Sequence, residues 1–193
     1  MNRQIAIVLL AAGHSRRMGQ NKLLLPWAGG TVVGHTLHLA AGGTFCQRLI
    51  VTCYPEVQAM AQQLGVQPVW NVDSEEGIAS SIRLGVSAVG PCDGYLFCNC
   101  DQPCMTGQVL DALCEAFDKE PAIWMPRIKE GARSPALFPV EFREELLALR
   151  GDRGGRQIIQ RHPDQVRFLD FPDGQIFMDV DTWEQYQAEL QKK

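Results

Sequence analysis

The stretch RLIVTCYPEVQAMAQQLGVQPVWN, residues 48 to 71, decides the fold. RLIVTC (48–53) is a short apolar run with β-branched residues, the composition of a buried strand. PEVQAMAQQLG (55–65) follows as a helix. Pro55 stands at its start, where a missing N–H costs nothing, and Gly65 stands past its end. VQPVWN (66–71) reads as a second short strand. A strand, a helix and a strand at this spacing make a βαβ unit.

The alternation extends in both directions. IAIVLLA (5–11) reads as a buried strand and TVVGHTLHLAA (31–41) has helical spacing. GIASSIRLGVSAV (77–89) is helix-like, with small residues at its entry. GYLFCNC (94–100) is a strand, TGQVLDALCEAF (106–117) a helix with Thr106 as N-cap, and AIWMP (122–126) a strand. This predicts an α/β fold built on a mostly parallel sheet. After residue 126 the pattern loosens. SPALFP, VRFLDF and IFMDVD look like further strands, and helices are expected over 140–149, 155–161 and 182–191. No repeat, low-complexity tract or linker divides the chain, so residues 1–193 are expected to form one domain.

Composition narrows the function classes. The chain has 193 residues, 46% of them apolar and 21% charged, and a formal net charge of -4. An acidic balance argues against a nucleic-acid coat and gives no support for a membrane surface. No apolar run approaches the ~20 residues of a membrane-spanning helix. MNRQIAIVLLAAG has a weak likeness to a signal peptide, but its β-branched run reads better as a retained strand. Seven cysteines without a C-x-x-C pair suggest neither a zinc ribbon nor a disulfide framework. Cys98, Cys100 and Cys104 crowd one acidic residue, yet cysteines in apolar strands behave as small hydrophobes. Reduced thiols in a cytoplasmic protein are the expectation.

Any basic site must therefore be local. LLAAGHSRRMGQNKLLLP (9–26) begins at the carboxyl end of the first strand, where parallel α/β sheets bind ligands. Ala11, Ala12 and Gly13 let a ligand approach the backbone closely. Ser15, Arg16, Arg17 and Lys22 then offer a hydroxyl and cations. Together they suit a polyphosphate. A solvated basic turn is the alternative. Neither G-x-x-x-x-G-K-[ST] nor G-x-G-x-x-G is present.

Three other segments gather at strand ends or helix starts. NCDQP (99–103) places Asp101 just past a buried strand, as a hard oxygen ligand suited to Mg²⁺ or as a helix cap. MDVDTWEQY (178–186) alternates Asp179 and Asp181, which on a strand point to the same side. EEGIASSIRLG (75–85) sets Gly77, Ser80 and Ser81 at a helix start, which favours anions or is simple capping.

L-A-A-G-x-S-x-R-M-G-x-x-K, Leu10 to Lys22, resembles the loop of the nucleotidyltransferases that process sugar phosphates and molybdopterin. Ala12, where another branch carries Gly, is similar to the molybdenum cofactor cytidylyltransferase branch. NCDQP resembles the family's G-D-x-P, with Cys100 in place of Gly. DVDTWEQ resembles D-x-D-T-P-E-D, with Trp183 in place of Pro. GARSPALF (131–138) and RGDRGGRQII (150–159) resemble segments on the acceptor side.

The resemblance implies a three-layer α/β sandwich of the nucleotide-diphospho-sugar transferase type, Rossmann-like. It implies transfer of CMP from CTP to the terminal phosphate of the molybdopterin cofactor, with Mg²⁺. It assigns the triphosphate to Arg16, Lys22 and Arg17, and the nucleotide to Leu10, Ala11, Ala12, Gly13, Ser15, Ser80 and Ser81. The metal goes to Asp101 and Asp181. Asp179, Arg133, Asp152 and Arg156 fall on the acceptor side. A molybdenum hydroxylase is the implied recipient of the product. GTP as donor, a sugar phosphate as acceptor, and a non-catalytic carrier of the cofactor remain as rivals. The four histidines show no ligand spacing and receive no role.

Overall fold

The computed structural model describes residues 3–191. Strand β1 (Ile5–Ala11) is followed by a small antiparallel hairpin, β2 (Pro26–Trp27) and β3 (Gly30–Thr31), and by helix α1 (Val32–Gly42). The βαβ unit read at 48–71 is β4 (Gln47–Thr52), α2 (Pro55–Gln63) and β5 (Gln67–Trp70). Then come α3 (Ile78–Ala88), β6 (Gly94–Asn99), α4 (Gly107–Lys119) and β7 (Ile123–Ile128). The remainder is β8 (Gly131–Ala132), β9 (Ala136–Pro139), α5 (Arg143–Leu147), α6 (Arg156–Arg161), β10 (Val166–Asp170) and α7 (Trp183–Leu190).

The main sheet runs β10-β7-β9-β6-β1-β4-β5, with β8 paired to β7. β1 lies between β4 and β6, parallel to both. Both of its faces are therefore covered, and its side chains separate by the two-residue strand period. Ile5, Ile7, Leu9 and Ala11 pack with Val33 and Leu37 of α1, Val57 of α2 and Leu110 of α4. Ala6 and Val8 pack the other way, against Ala79, Ile82 and Val86 of α3, Leu146 of α5 and Ile158 of α6. This makes three layers, helices on each side of one sheet. Each fully buried Ile or Leu in such a strand contributes about 2 kcal/mol. Gly85 lets α3 approach closely, because a Cβ there would collide with Val8.

The expected mostly parallel sheet contains two reversed strands, the short β8, antiparallel to β7, and β9. β9 is antiparallel to both β6 and β7 and lies between them. Strand alternation cannot reveal it, because β9 reaches this place from far along the chain. IFMDVD does not form the expected strand. Gln175–Phe177 is a short 3-10 turn, and the next residues run extended without a ladder. Among the described residues one backbone bond ties them to another segment, from Val180 N–H to Asp101 O at 2.9 Å. This segment crosses over strand ends instead of lying beside a strand. Thr182 does cap α7, in a full capping box with Gln185. Thr106 precedes α4 without a side-chain capping bond.

None of the seven cysteines is joined in a disulfide. Cys98 and Cys100 are buried in the core, and burial pushes the Cys98 thiol up to about 12 and that of Cys100 well above its usual value. Cys104 packs against the same core. Among the described residues no helix is long and apolar enough to cross a membrane.

Candidate functional site

β1, β4, β5 and β6 are parallel, so their carboxyl ends share one sheet edge. The chain leaves β1 at Ala12, β5 at Asn71 and β6 at Cys100. A pocket of about 420 Å³ opens above this edge, within the range of small-ligand sites. Leu10, Ala11, Ala12, Gly13, Ser15, Arg16 and Arg17 line one wall, with His14 among them. Ser74, Glu75, Gly77, Ile78 and Ser81 line the opposite wall. Lys22, Asn99, Asp101 and Asp181 face it from the floor, and Asp152 from the rim.

Lys22 organises the floor. Its backbone begins a 3-10 turn capped by Asn21, and its N–H donates to Ser15 Oγ at 3.2 Å. Its Nζ donates to Asp101 Oδ2 and to Asp181 Oδ1, each at 2.6 Å. Burial by itself would lower the Lys22 pKa, but the two carboxylates outweigh it and hold the ammonium above its ordinary value. Asp181 loses hydration, yet Lys22 and Arg17 hold its carboxyl below the usual range. Arg17 reaches Asp181 Oδ2 at 2.7 Å. The stabilisation from the Lys22 partnership is full below pH about 10 and lost above the raised value. That from Asp181 is present above pH about 4 and lost below the depressed value. Lys22 and Asp181 are thus charged throughout the neutral range.

The two walls also touch. Arg16 Nη2 pairs with Glu75 Oε2, and His14 Nε2 lies 3.1 Å from Ser74 Oγ. These contacts are exposed, so each contributes little energy.

A family model described as MobA-like NTP transferase domain matches residues 7–166, from β1 to the first residue of β10. The chain belongs to the MobA-like NTP transferase family. The molybdenum cofactor cytidylyltransferase of Escherichia coli K12 is 36% identical over 89 residues, 44% of this chain and 45% of that protein. That match spans less than half of the relative's length. The molybdenum cofactor guanylyltransferase of Mesorhizobium japonicum is 30% identical over 174 residues, covering 84% of this chain and 81% of that protein. The crystal structure of Rv0371c from Mycobacterium tuberculosis H37Rv in complex with manganese superposes with a TM-score of 0.83 at 30% identity, covering 98% of this chain and 100% of that chain. The three layers are those of the nucleotide-diphospho-sugar transferase fold.

In this MobA-like chain the residues singled out from the sequence do not all converge. Leu10 to Gly13, Ser15, Arg16, Arg17, Lys22, Ser81, Asp101, Asp152 and Asp181 share the pocket. Ser80 is buried behind it. Its hydroxyl donates to Gly77 O and accepts from Asn71 Nδ2, each at 2.9 Å, and Asn71 also holds Ser81 at 3.0 Å. Asp152 reaches the pocket rim with one carboxylate oxygen engaged, because Oδ1 accepts from Ile78 N–H at 3.2 Å and so caps α3. Gly77 makes room for it: its φ is +93°, and a Cβ there would collide with the Asp152 carboxylate. The Arg133 guanidinium donates to its neighbour Ala132 O, at 3.1 Å. Neither Arg133 nor Arg156, at the start of α6, lines the pocket.

His14, Asn71, Ser74, Glu75 and Asn99 escaped the sequence reading. Their positions after β1, β5 and β6 were the available signal, since residues just past parallel strands gather at one edge.

Asp179 stands beside the floor. Its pKa is pushed up to about 6, by loss of hydration and then by the negative charge of Asp101. Its residue nevertheless keeps solvent access, which moderates the effect of burial. A carboxyl raised in the folded state binds its proton more tightly there than in the unfolded chain. It therefore adds stability as pH falls from about 6 towards about 4. Asp179→Asn is expected to flatten this rise in a Tm series between those pH values. An unchanged slope would remove Asp179 as its source.

The donor set suits a divalent cation. Asp101 Oδ1 is buried and has no hydrogen-bond partner, and its chemistry is that of a hard oxygen ligand. Among the described residues no three His, Cys, Asp or Glu side chains form a cage. A Mg²⁺ ion is commonly held by one or two carboxylates completed by substrate phosphates and water.

Proposed function

We propose that the protein transfers CMP from CTP to the terminal phosphate of the molybdopterin cofactor, releasing pyrophosphate and giving the cytosine dinucleotide form. The observation that carries nucleotidyl transfer is Lys22, buried between Asp101 and Asp181 beneath the loop of residues 10–17. A buried ammonium between two carboxylates at a pocket floor costs desolvation. It is useful where a polyanion must be gripped and a cation recruited at one place. The acceptor's phosphate oxygen attacks the α-phosphorus, and the bond to the pyrophosphate oxygen breaks. Such a displacement asks the protein for alignment and charge neutralisation.

The residues divide that work. Lys22, with Arg16 and Arg17 released from Glu75 and Asp181, grips the triphosphate. Asp101 and Asp181 would hold Mg²⁺, which when bound supplies positive charge to phosphate oxygens. Ala11, Ala12 and Gly13 admit the nucleotide close to the backbone, and Ser81 faces it across the pocket. The names borne by the Escherichia coli and Mesorhizobium relatives support molybdopterin as acceptor. A molybdenum hydroxylase that receives the product belongs to the same reading.

Ala12 supports CTP. Its buried methyl, 6% exposed, leaves less room at the end of β1 than glycine would, which favours a pyrimidine. GTP is the second reading, because the guanylyltransferase match runs over far more of this chain than the cytidylyltransferase match.

A pyrophosphate-release assay with molybdopterin cofactor and Mg²⁺, run in parallel with CTP, GTP, ATP and UTP, tests this. Release with CTP alone is the expected result. Release with GTP keeps the chemistry and overturns the reading of Ala12. Release only with a sugar phosphate in place of the pterin replaces the acceptor. Pterin binding without any release turns the protein into a carrier.

A further inference from the structure

The nucleotide loop is fastened from behind by three consecutive residues that no sequence pattern singles out. Thr52 Oγ1 donates to Ala11 O at 3.1 Å. Cys53 Sγ donates to Ala12 O at 3.8 Å. Tyr54 OH donates to Gly13 O at 2.8 Å. Three successive side chains leaving β4 thus take three successive carbonyls leaving β1. The rungs are joined to one another, because Thr52 Oγ1 accepts from Tyr54 N–H at 3.1 Å.

A planar trans peptide points its C=O and its N–H in opposite directions. Carbonyls 11, 12 and 13 turned towards residues 52–54 therefore turn the N–H groups of Ala12, Gly13 and His14 away from them. Residues 11–14 line the pocket and residues 52–54 do not. Among the described residues the N–H groups of Gly13 and His14 donate to no protein acceptor. A run of such amides on one side of a loop is an anion-binding nest.

The next residue makes the support necessary. Ser15 has φ +47°, a left-handed conformation that a residue with a Cβ keeps only where its surroundings impose it. Ser15 Oγ also accepts from Lys22 N–H. A shift of the loop would therefore carry the floor lysine with it.

We infer that Thr52, Cys53 and Tyr54 are positioning residues for the nucleotide, which hold the carbonyls of Ala11 to Gly13 back so that the loop's amides face the phosphates. The inference rests on the reading above that this loop holds an NTP. Tyr54 is the informative rung, since its hydroxyl can be removed with the ring left in place. Burial and the neighbouring Cys53 push the phenol up to about 12, so it stays a donor in any ordinary assay.

The test is calorimetric titration of the full chain with CTP and with GTP, each with Mg²⁺, alongside steady-state kinetics and Tm. Tyr54→Phe is expected to weaken binding of the preferred nucleotide by roughly five- to tenfold, the effect of one hydrogen bond, and to raise KM more than it lowers kcat. Cys53→Ala, which removes only a weak S–H donor at 3.8 Å, is expected to weaken binding less than Tyr54→Phe does. Lys22→Ala reports on the underlying reading. If Tyr54→Phe binds nucleotide normally while Lys22→Ala does not, the positioning role is wrong and the nucleotide site stands. A lowered Tm with unchanged affinity also overturns the role, as mere structural support. If Lys22→Ala binds both nucleotides as the wild type does, the reading of the loop fails and the rungs lose their purpose with it.

Discussion

Lys22→Met is expected to lower kcat/KM for nucleotidyl transfer by roughly two to three orders of magnitude, the usual cost of deleting one preorganised charge partner. Methionine keeps the length and the apolar stem, so packing around the stem is little disturbed. What disappears is the ammonium that bridges Asp101 and Asp181. The two carboxylates then face the same space without their shared counter-ion. A loss of about 1–3 kcal/mol at neutral pH is expected, at or below the low end for a broken buried pair because all three side chains keep some solvent access. This loss carries its own pH signature. With the lysine gone, a carboxyl of the cluster takes a proton more readily, so the variant recovers stability relative to the wild type as pH falls. A pair of Tm series over acidic and neutral pH measures it. Unchanged kinetics would remove Lys22 from the site.

Asp101→Asn separates metal binding from folding. Lys22 keeps Asp181 as its partner, and the Val180 bond to the backbone of residue 101 does not involve the side chain. The variant is therefore expected to fold with a Tm close to that of the wild type. Turnover is expected to fall by at least about a thousandfold, because a metal's Lewis-acid contribution is worth several kcal/mol. Titration with Mn²⁺ in the presence of nucleotide gives a second readout, expected to weaken in parallel. Full Mg²⁺-dependent activity in the variant would contradict the assignment of Asp101.

The central βαβ pattern was legible because its signals are local. Pro55 and Gly65 bracket α2, and the two-residue alternation of β1 separates Ile7 and Leu9 from Ala6 and Val8 onto opposite faces. Lys22 and Asp101 could be chosen from chemistry and position at a strand end. Their contact, between residues 79 apart, follows only from the register that sets β6 beside β1. Glu75 and Asn71 lay hidden for the same reason, since they matter through partners on other segments. IFMDVD misled because apolar alternation describes any segment with one buried side. Val180 is fully buried, yet the segment crosses strand ends and, among the described residues, makes one backbone bond outside its own turn. Asp152 lines the pocket and caps α3 at once, because a helix cap and an anion contact use the same carboxylate.

The antiparallel β9 bears on how the molecule is assembled. β6 and β7 follow each other closely in sequence, but they cannot complete the sheet together until residues 136–139 return between them. The half that carries the pocket, β6-β1-β4-β5, can pair from contacts within the first hundred residues. It is left meanwhile with an open row of amides and carbonyls along β6, the kind of edge that recruits strands from other chains. The later chain closes that edge and brings β7 and β10 with it. Synthesis past residue 139 thus marks the point at which a nascent chain can cover this edge itself, and a protein interrupted before it has reason to need a chaperone.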